Sequence, residues 1–213
     1  MDLLTKGRTQ MTLTPGGFPA AAPANTVPGP EQGKWTYEDY ATIPDDGKRY
    51  EVVNGVLFMS PAPDQKHQDT VGAIFVYLWN HINLGMLGRV YTAPFDVELA
   101  SHTICQPDVM VILNANMSKI SDKRVIGAPD LVVEVASPST ARYDRREKLD
   151  AYARSGVTEY WIAEPTSRTI EILTIEVNTF SSHGIFEGKT LLSSKVIPDF
   201  PIHVEQLFAY VQR

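Results

Sequence analysis

An α/β domain of the α+β kind, with a mixed sheet, flanking helices and a C-terminal β-meander, is what this chain predicts. Three observations point there. Short β-forming runs bounded by turn residues alternate with two segments of helical period, in the order hairpin, helix, hairpin, strand, helix, strands. An Asn54-Gly55 pair sits between two such runs, where a tight hairpin belongs. Two further runs read as buried strands, yet each carries a carboxylate: Asp108 in Pro107-Asp108-Val109-Met110-Val111-Ile112, and Glu134 in Asp130-Leu131-Val132-Val133-Glu134-Val135-Ala136.

Residues 1–33 are rich in Pro, Gly, Ala and Thr and offer little to bury, so they read as a disordered or loosely attached tail. One domain is expected over 34–213, a length with room for a substantial core. Thr36 is positioned to cap a short helix, with Asp39 in place of the usual Glu of a capping box. Tyr50 to Met59 is the Asn-Gly hairpin. A helix follows, with Asp64 as N-cap, Gly85 as stop, and Val71, Ile74, Phe75, Leu78 and Ile82 on one face.

Strands are expected from Arg89 to Leu99 and from Cys105 to Leu113, as a hairpin centred on His102. That register places Asp96 opposite Asp108 on one sheet face. Asn114 to Ala128 reads as a polar loop or short helix, and Asp130 to Ala136 as a central strand broken by Ser137-Pro138-Ser139-Thr140. A helix from Asp144 to Ser155 closes on Gly156. Glu159 to Ala163 is a strand, then come strands near 169–175, 179–186 and 190–196, and a short helix around Val204–Val211.

Several function classes drop out early. No apolar run approaches the roughly 20 residues of a membrane span. The start, Met1 to Arg8, lacks the apolar centre of a secretory signal, so a cytoplasmic protein is expected. Cys105 is the single cysteine, which removes intrachain disulfides and cysteine-based zinc sites. The net charge of −6 opposes indiscriminate nucleic-acid binding, although Lys119, Lys123, Arg124, Arg142, Arg145, Arg146 and Lys148 could form a local basic patch.

The two carboxylates are the strongest signal. Burying an unpaired carboxylate costs several kcal/mol, so such groups are paired or bound to metal. On neighbouring strands they repel unless a cation lies between them. Mg²⁺ suits such a pair, because it takes one or two carboxylates and keeps several waters. The plain alternative is two acids each satisfied by Arg, Lys or backbone N–H groups.

Pro107-Asp108, with Glu134 twenty-six positions on, resembles the PD-(D/E)XK nuclease core. The wider set includes Tyr50-Glu51-Val52-Val53-Asn54-Gly55, Ser60-Pro61, His67, Ala93-Pro94-Phe95-Asp96-Val97 and Gln106-Pro107-Asp108. It continues through Gly127 to Val135, Ser137 to Thr140, Lys148, Gly156 to Trp161 and Pro198-Asp199-Phe200. This ordered set is similar to the Uma-type family of restriction-endonuclease-like proteins, from about Trp35 to the C-terminus.

The resemblance implies a restriction-endonuclease-like core and a Mg²⁺-dependent endonuclease acting on DNA, with Mn²⁺ as a substitute ion. It implies Asp108, Glu134 and the main-chain carbonyl of Val135 as metal ligands. Ala136 stands where the parent motif has its lysine, and Lys148 matches the lysine this family uses instead. Lys148 also lies four residues after Asp144, the spacing of an ordinary helix ion pair. Glu51, His67 and Asp96 are expected to support the site. Glu51 is otherwise an exposed strand residue, His67 a surface histidine, and Asp96 an arginine's partner. Nucleic acid, DNA first, is the implied partner, with no membrane contact, and a homodimer is allowed. Two other readings stay open: a catalytically silent nuclease-fold module that binds nucleic acid or regulates, and a metal-dependent hydrolase of another phosphoester.

Overall fold

The computed structural model describes residues 21–137 and 143–211. The chain forms two six-stranded sheets packed face to face. It begins with β1 (Ala22–Pro23), a short helix α1 (Tyr37–Tyr40), and the hairpin β2 (Arg49–Val53) and β3 (Val56–Ser60). Asn54 and Gly55 both take positive φ, 52° and 75°, as a type I′ turn demands. Thr36 and Asp39 form the expected reciprocal cap of α1.

Helix α2 (Gln65–Trp79) runs on through a π-helical turn, Asn80–Leu84, to Gly85. The Asp64 side chain accepts from the His67 N–H at 2.9 Å and fixes the first turn. Then come β4 (Gly88–Thr92), β5 (Asp96–Ala100), β6 (Thr103–Cys105), β7 (Val109–Leu113), a 3₁₀ turn at Asn114–Lys119, β8 (Arg124–Ile126) and β9 (Leu131–Val135). A π-helical turn, Asp144–Lys148, leads into α3 (Leu149–Ser155), which Gly156 ends at φ 84°. The rest is β10 (Glu159–Glu164), β11 (Thr169–Glu176), β12 (Thr179–Glu187) and α4 (Val204–Leu207).

The first sheet has the order β1-β3-β2-β6-β5-β8, and the second β12-β11-β10-β9-β7-β4. Within the second, β9 and β10 are parallel, joined through the segment that contains α3, while β7 and β11 flank them antiparallel. Strand alternation then sorts the core. Val109, Val111, Leu131, Val133, Val135 and Trp161 face α2 and the C-terminal segment, packing on Ile74, Leu78 and Phe208. The opposite parity, Val132, Tyr160 and Ile162, faces α3 and the first sheet, against Tyr152 and Val53. Asp108 and Glu134 share that second parity and therefore point into the space between the sheets.

Several expectations are corrected. The two long strands of the second hairpin are each split, and their halves belong to different sheets. The breaks fall at Ala93-Pro94 and at Gln106-Pro107, where proline cannot donate to a ladder. The register is Val97↔Cys105, not one that pairs Asp96 with Asp108. Segment 190–196 makes an isolated bridge at Leu191 rather than a strand. Its backbone is held instead by the buried carboxylate of Glu159, which accepts from Ser194 Oγ and the N–H groups of Lys195 and Val196. β8 lies inside the stretch expected to be loop.

Residues 21–33, expected to be part of a loose tail, lie along the first sheet. Ala22 pairs with Met59, the Ala24 N–H donates to the Leu57 carbonyl, and Gln32 Oε1 accepts from the Leu57 N–H. The remainder of that tail, 1–20, and the Pro138–Thr140 break fall outside the described residues, as does Arg142 of the basic patch.

Candidate functional site

Five polar side chains from five places in the chain converge between the sheets. Glu51 comes from the middle of β2, His67 from the first turn of α2, Asp108 from the start of β7, Glu134 from β9, and Lys148 from the turn before α3. All are buried, with relative exposures of 1%, 7%, 4%, 2% and 3% in that order. The parity argument explains Asp108 and Glu134, and the same period places Glu51 on the inner face of β2, beside Val53 and away from Tyr50 and Val52.

Lys148 is the hub. Its Nζ lies 2.9 Å from Glu51 Oε1 and 2.9 Å from Glu134 Oε1. The helical partner at the four-residue spacing, Asp144, is farther away at 3.8 Å. The helix ion pair is thus the weakest of three contacts, and the π-helical turn presents the lysine to the sheet. Such turns widen the helix by one residue and recur at functional sites. Glu134 Oε1 also accepts from the Tyr152 hydroxyl at 2.7 Å.

Asp108 is held separately. Its Oδ2 accepts from the Val135 N–H at 2.9 Å and lies 3.0 Å from His67 Nε2. That contact puts a proton on Nε2, and Nδ1 is buried without a hydrogen-bond partner among the described residues. Its Oδ1 has a longer contact, 3.4 Å, with Arg49 Nη1, whose other arm donates to the Gln106 carbonyl at 2.8 Å. Gln106 closes the ring: its N–H donates to Glu51 Oε1 at 2.7 Å.

Among the described residues, the buried carboxylates of Glu51, Asp108 and Glu134 lie with the cations of Arg49 and Lys148. Burial pushes the Glu134 carboxyl well above the usual range, and Lys148 offsets this only in part. Asp108 goes the other way. Burial opposes its ionisation, but His67, Arg49 and Lys148 outweigh that and hold the carboxyl below the usual range. Burial also opposes the charge on Lys148, and the acids around it win, raising its pKa.

The cluster has unused oxygen. Glu51 Oε2 is buried with no hydrogen-bond partner among the described residues. Among the described residues, both hydrogen bonds of Glu134 fall on Oε1, and Asp108 Oδ1 has only the long Arg49 contact. The Val135 N–H faces Asp108, and a strand residue's N–H and C=O leave on the same side, so its carbonyl faces the same gap. Among the described residues no group of three or more His, Cys, Asp or Glu side chains is arranged to hold a metal ion, so any ion here would rest on fewer side chains and its own waters. An all-oxygen donor set with a short count fits Mg²⁺, which brings its own waters, and does not fit a soft ion.

Asp96 does not join the cluster. Its Oδ1 accepts from the Tyr40 hydroxyl and from Gln106 Nε2, each at 2.9 Å. Among the described residues no arginine holds it either; Arg124 Nε, one strand away, binds Glu98 at 2.6 Å. Two members were not singled out from sequence. Arg49 stands two residues before Glu51, and Tyr152 four after Lys148, so strand and helix periods would have placed both on the functional face.

Comparison with known proteins adds the following. A family model described as "Uma2: Putative restriction endonuclease" matches residues 37–205. A solved structure from Anabaena variabilis, described as a "putative nuclease belonging to DUF820", superposes with a TM-score of 0.70 at 15% identity. It covers 84% of this chain and 99% of that one, and at such identity the likeness speaks to fold. No curated protein matches significantly.

Proposed function

The chain belongs to the Uma2 family, and from that premise we propose that it is a Mg²⁺-dependent endonuclease that hydrolyses DNA phosphodiester bonds. The observation that carries this is the convergence of Asp108, Glu134, Glu51 and Lys148 in one buried cluster that keeps a carboxylate oxygen, Glu51 Oε2, without a partner among the described residues. Asp108 Oδ1, Glu134 Oε2 and the Val135 carbonyl would hold the ion, with Glu51 Oε2 accepting from water in its shell. Bound there, Mg²⁺ lowers the pKa of a water nucleophile and offsets charge on the phosphate.

The chain's own groups supply the rest. The Lys148 ammonium contacts two of the acids, placed to orient the attacking water or to stabilise charge developing on the phosphate. His67 fixes one oxygen of Asp108 and leaves the other for the ion. Arg49, the most exposed member with a quarter of its side chain open, marks where the phosphate would enter. Its guanidinium can meet a phosphate through paired donors.

One observation favours a second reading. Lys148 is bound by both Glu51 and Glu134, and the cluster is almost sealed from solvent, as expected of a nuclease fold kept as a nucleic-acid-binding module without turnover. Nicking of supercoiled plasmid separates the two, with single-stranded DNA and RNA alongside, in Mg²⁺ and Mn²⁺. The nuclease reading expects metal-dependent cutting that Asp108→Asn abolishes and Lys148→Ala reduces at least a hundredfold. Cutting undiminished in Asp108→Asn would reject the assignment, and binding without cutting on every substrate would select the module.

A further inference from the structure

A cleft of about 350 Å³ opens at one end of β2, β5 and β6, separated from the carboxylate cluster by Gln106. Tyr37, Tyr40 and Tyr50 give it aromatic surface, Lys48, which pairs with Asp46, and Lys123 give it cations, Asp45 and Asp96 give it carboxylates, and Gln106 forms part of its wall. Gln106 belongs to both places. Its N–H binds Glu51 and its carbonyl binds Arg49, while its side-chain amide donates to the Tyr40 hydroxyl and Asp96 on the cleft side. Chain continuity links the two again: Lys48 lines the cleft, and the next residue, Arg49, is the most exposed member of the cluster.

The aromatic wall is built in advance. The Tyr40 hydroxyl is held by Asp96 at 2.9 Å and by Gln106 at 3.0 Å. The Arg124 guanidinium lies 3.8 Å from the centre of the Tyr37 ring, and Glu98 anchors that arginine in turn. Rings fixed before binding lose little entropy when something stacks on them. Gln106 Oε1 is buried without a partner among the described residues, so the cleft wall keeps an unused acceptor.

We propose that this cleft is a nucleotide subsite, taking one unstacked nucleotide of the nucleic acid next to the phosphate presented to Asp108 and Glu134. The base lies against Tyr37 and Tyr40, and its phosphate is met by Lys48 and Lys123. A concave site of this size takes a single base, and only one already out of the helical stack. Single-stranded or locally melted DNA is therefore the preferred substrate. This rests on the nuclease reading for the position of the scissile phosphate, but binding to the cleft needs no metal and no turnover.

The test is fluorescence anisotropy in EDTA with a fluorescein-labelled single-stranded DNA octamer and with the same sequence as a duplex. Wild type is compared with Tyr37→Ala, with Lys123→Glu, and with Lys189→Ala on the C-terminal segment as a control. Lys123 is exposed, so its variant keeps the test valid if Tyr37→Ala folds poorly. The subsite predicts tighter binding of the single strand, about tenfold weaker binding in each cleft variant, and no change for Lys189→Ala. Cleft variants that bind like wild type overturn it, even if wild type cuts plasmid and Asp108→Asn does not. Weakened binding in the cleft variants, beside a wild type that cuts nothing, upholds the subsite and rejects the nuclease reading.

Discussion

Lys148 shows how a buried charge is decided by its surroundings. Taking its ammonium out of water is costly, and the cost is met because two carboxylates lie at hydrogen-bond distance. Truncating it leaves Glu51 and Glu134 buried without their shared partner. Lys148→Ala should therefore lose about 3–5 kcal/mol in urea unfolding without metal. Saturating Mn²⁺ should raise the melting temperature of that variant more than that of wild type, since the ion supplies the missing charge. An equal rise in both would place the ion elsewhere. The acids were legible in sequence because a carboxylate inside an apolar strand has few explanations. The partner of Lys148 was not, because the spacing to Asp144 offered a local pair that the π-helical turn sets aside in favour of the sheet.

At the scale of elements, local signals decided what they physically control. The Asn54-Gly55 turn, the Thr36 and Asp64 caps and the Gly156 stop all appear as the sequence predicts, since each depends on a few adjacent residues. Asp64→Ala should cost about 1 kcal/mol by urea unfolding, and should slow catalysis as well because that cap holds the turn bearing His67. A stability loss with unchanged turnover would detach His67 from function. Segment 190–196 shows the opposite case. Its alternation suggests a strand, but a buried carboxylate thirty-odd residues earlier takes its N–H groups. Glu159→Ala leaves Ser194 Oγ and the Trp161 indole N–H without that acceptor, so a loss of about 3 kcal/mol and faster proteolysis around 190–200 are expected. Proteolysis as slow as in wild type would show that the segment is held by its apolar contacts alone.

For the whole molecule, the sequence pattern conveys the order of elements but not their division into two sheets. That division turns on Pro94 and Pro107, where one expected hairpin is shared between sheets, and on a register set by contacts far apart in the chain. The division matters for function. It moves Asp96 to the cleft and leaves Asp108 on the same sheet face as Glu134, with Glu51 arriving from the other sheet. On the proposed nuclease reading, one such cluster among the described residues would let a single chain bound to duplex DNA cut one strand at a time. Nicked circles should accumulate before linear plasmid, and linear product without a nicked intermediate would require two chains acting together.

The acids between the sheets are proposed to bind a divalent cation. Calorimetric titration of Mn²⁺ into metal-stripped protein would show this, comparing wild type with Asp108→Asn and Glu134→Gln after circular dichroism has confirmed their folds. One site is expected in wild type, lost or weakened at least tenfold in both variants. Binding of equal strength in all three proteins, or no binding in wild type, would contradict it.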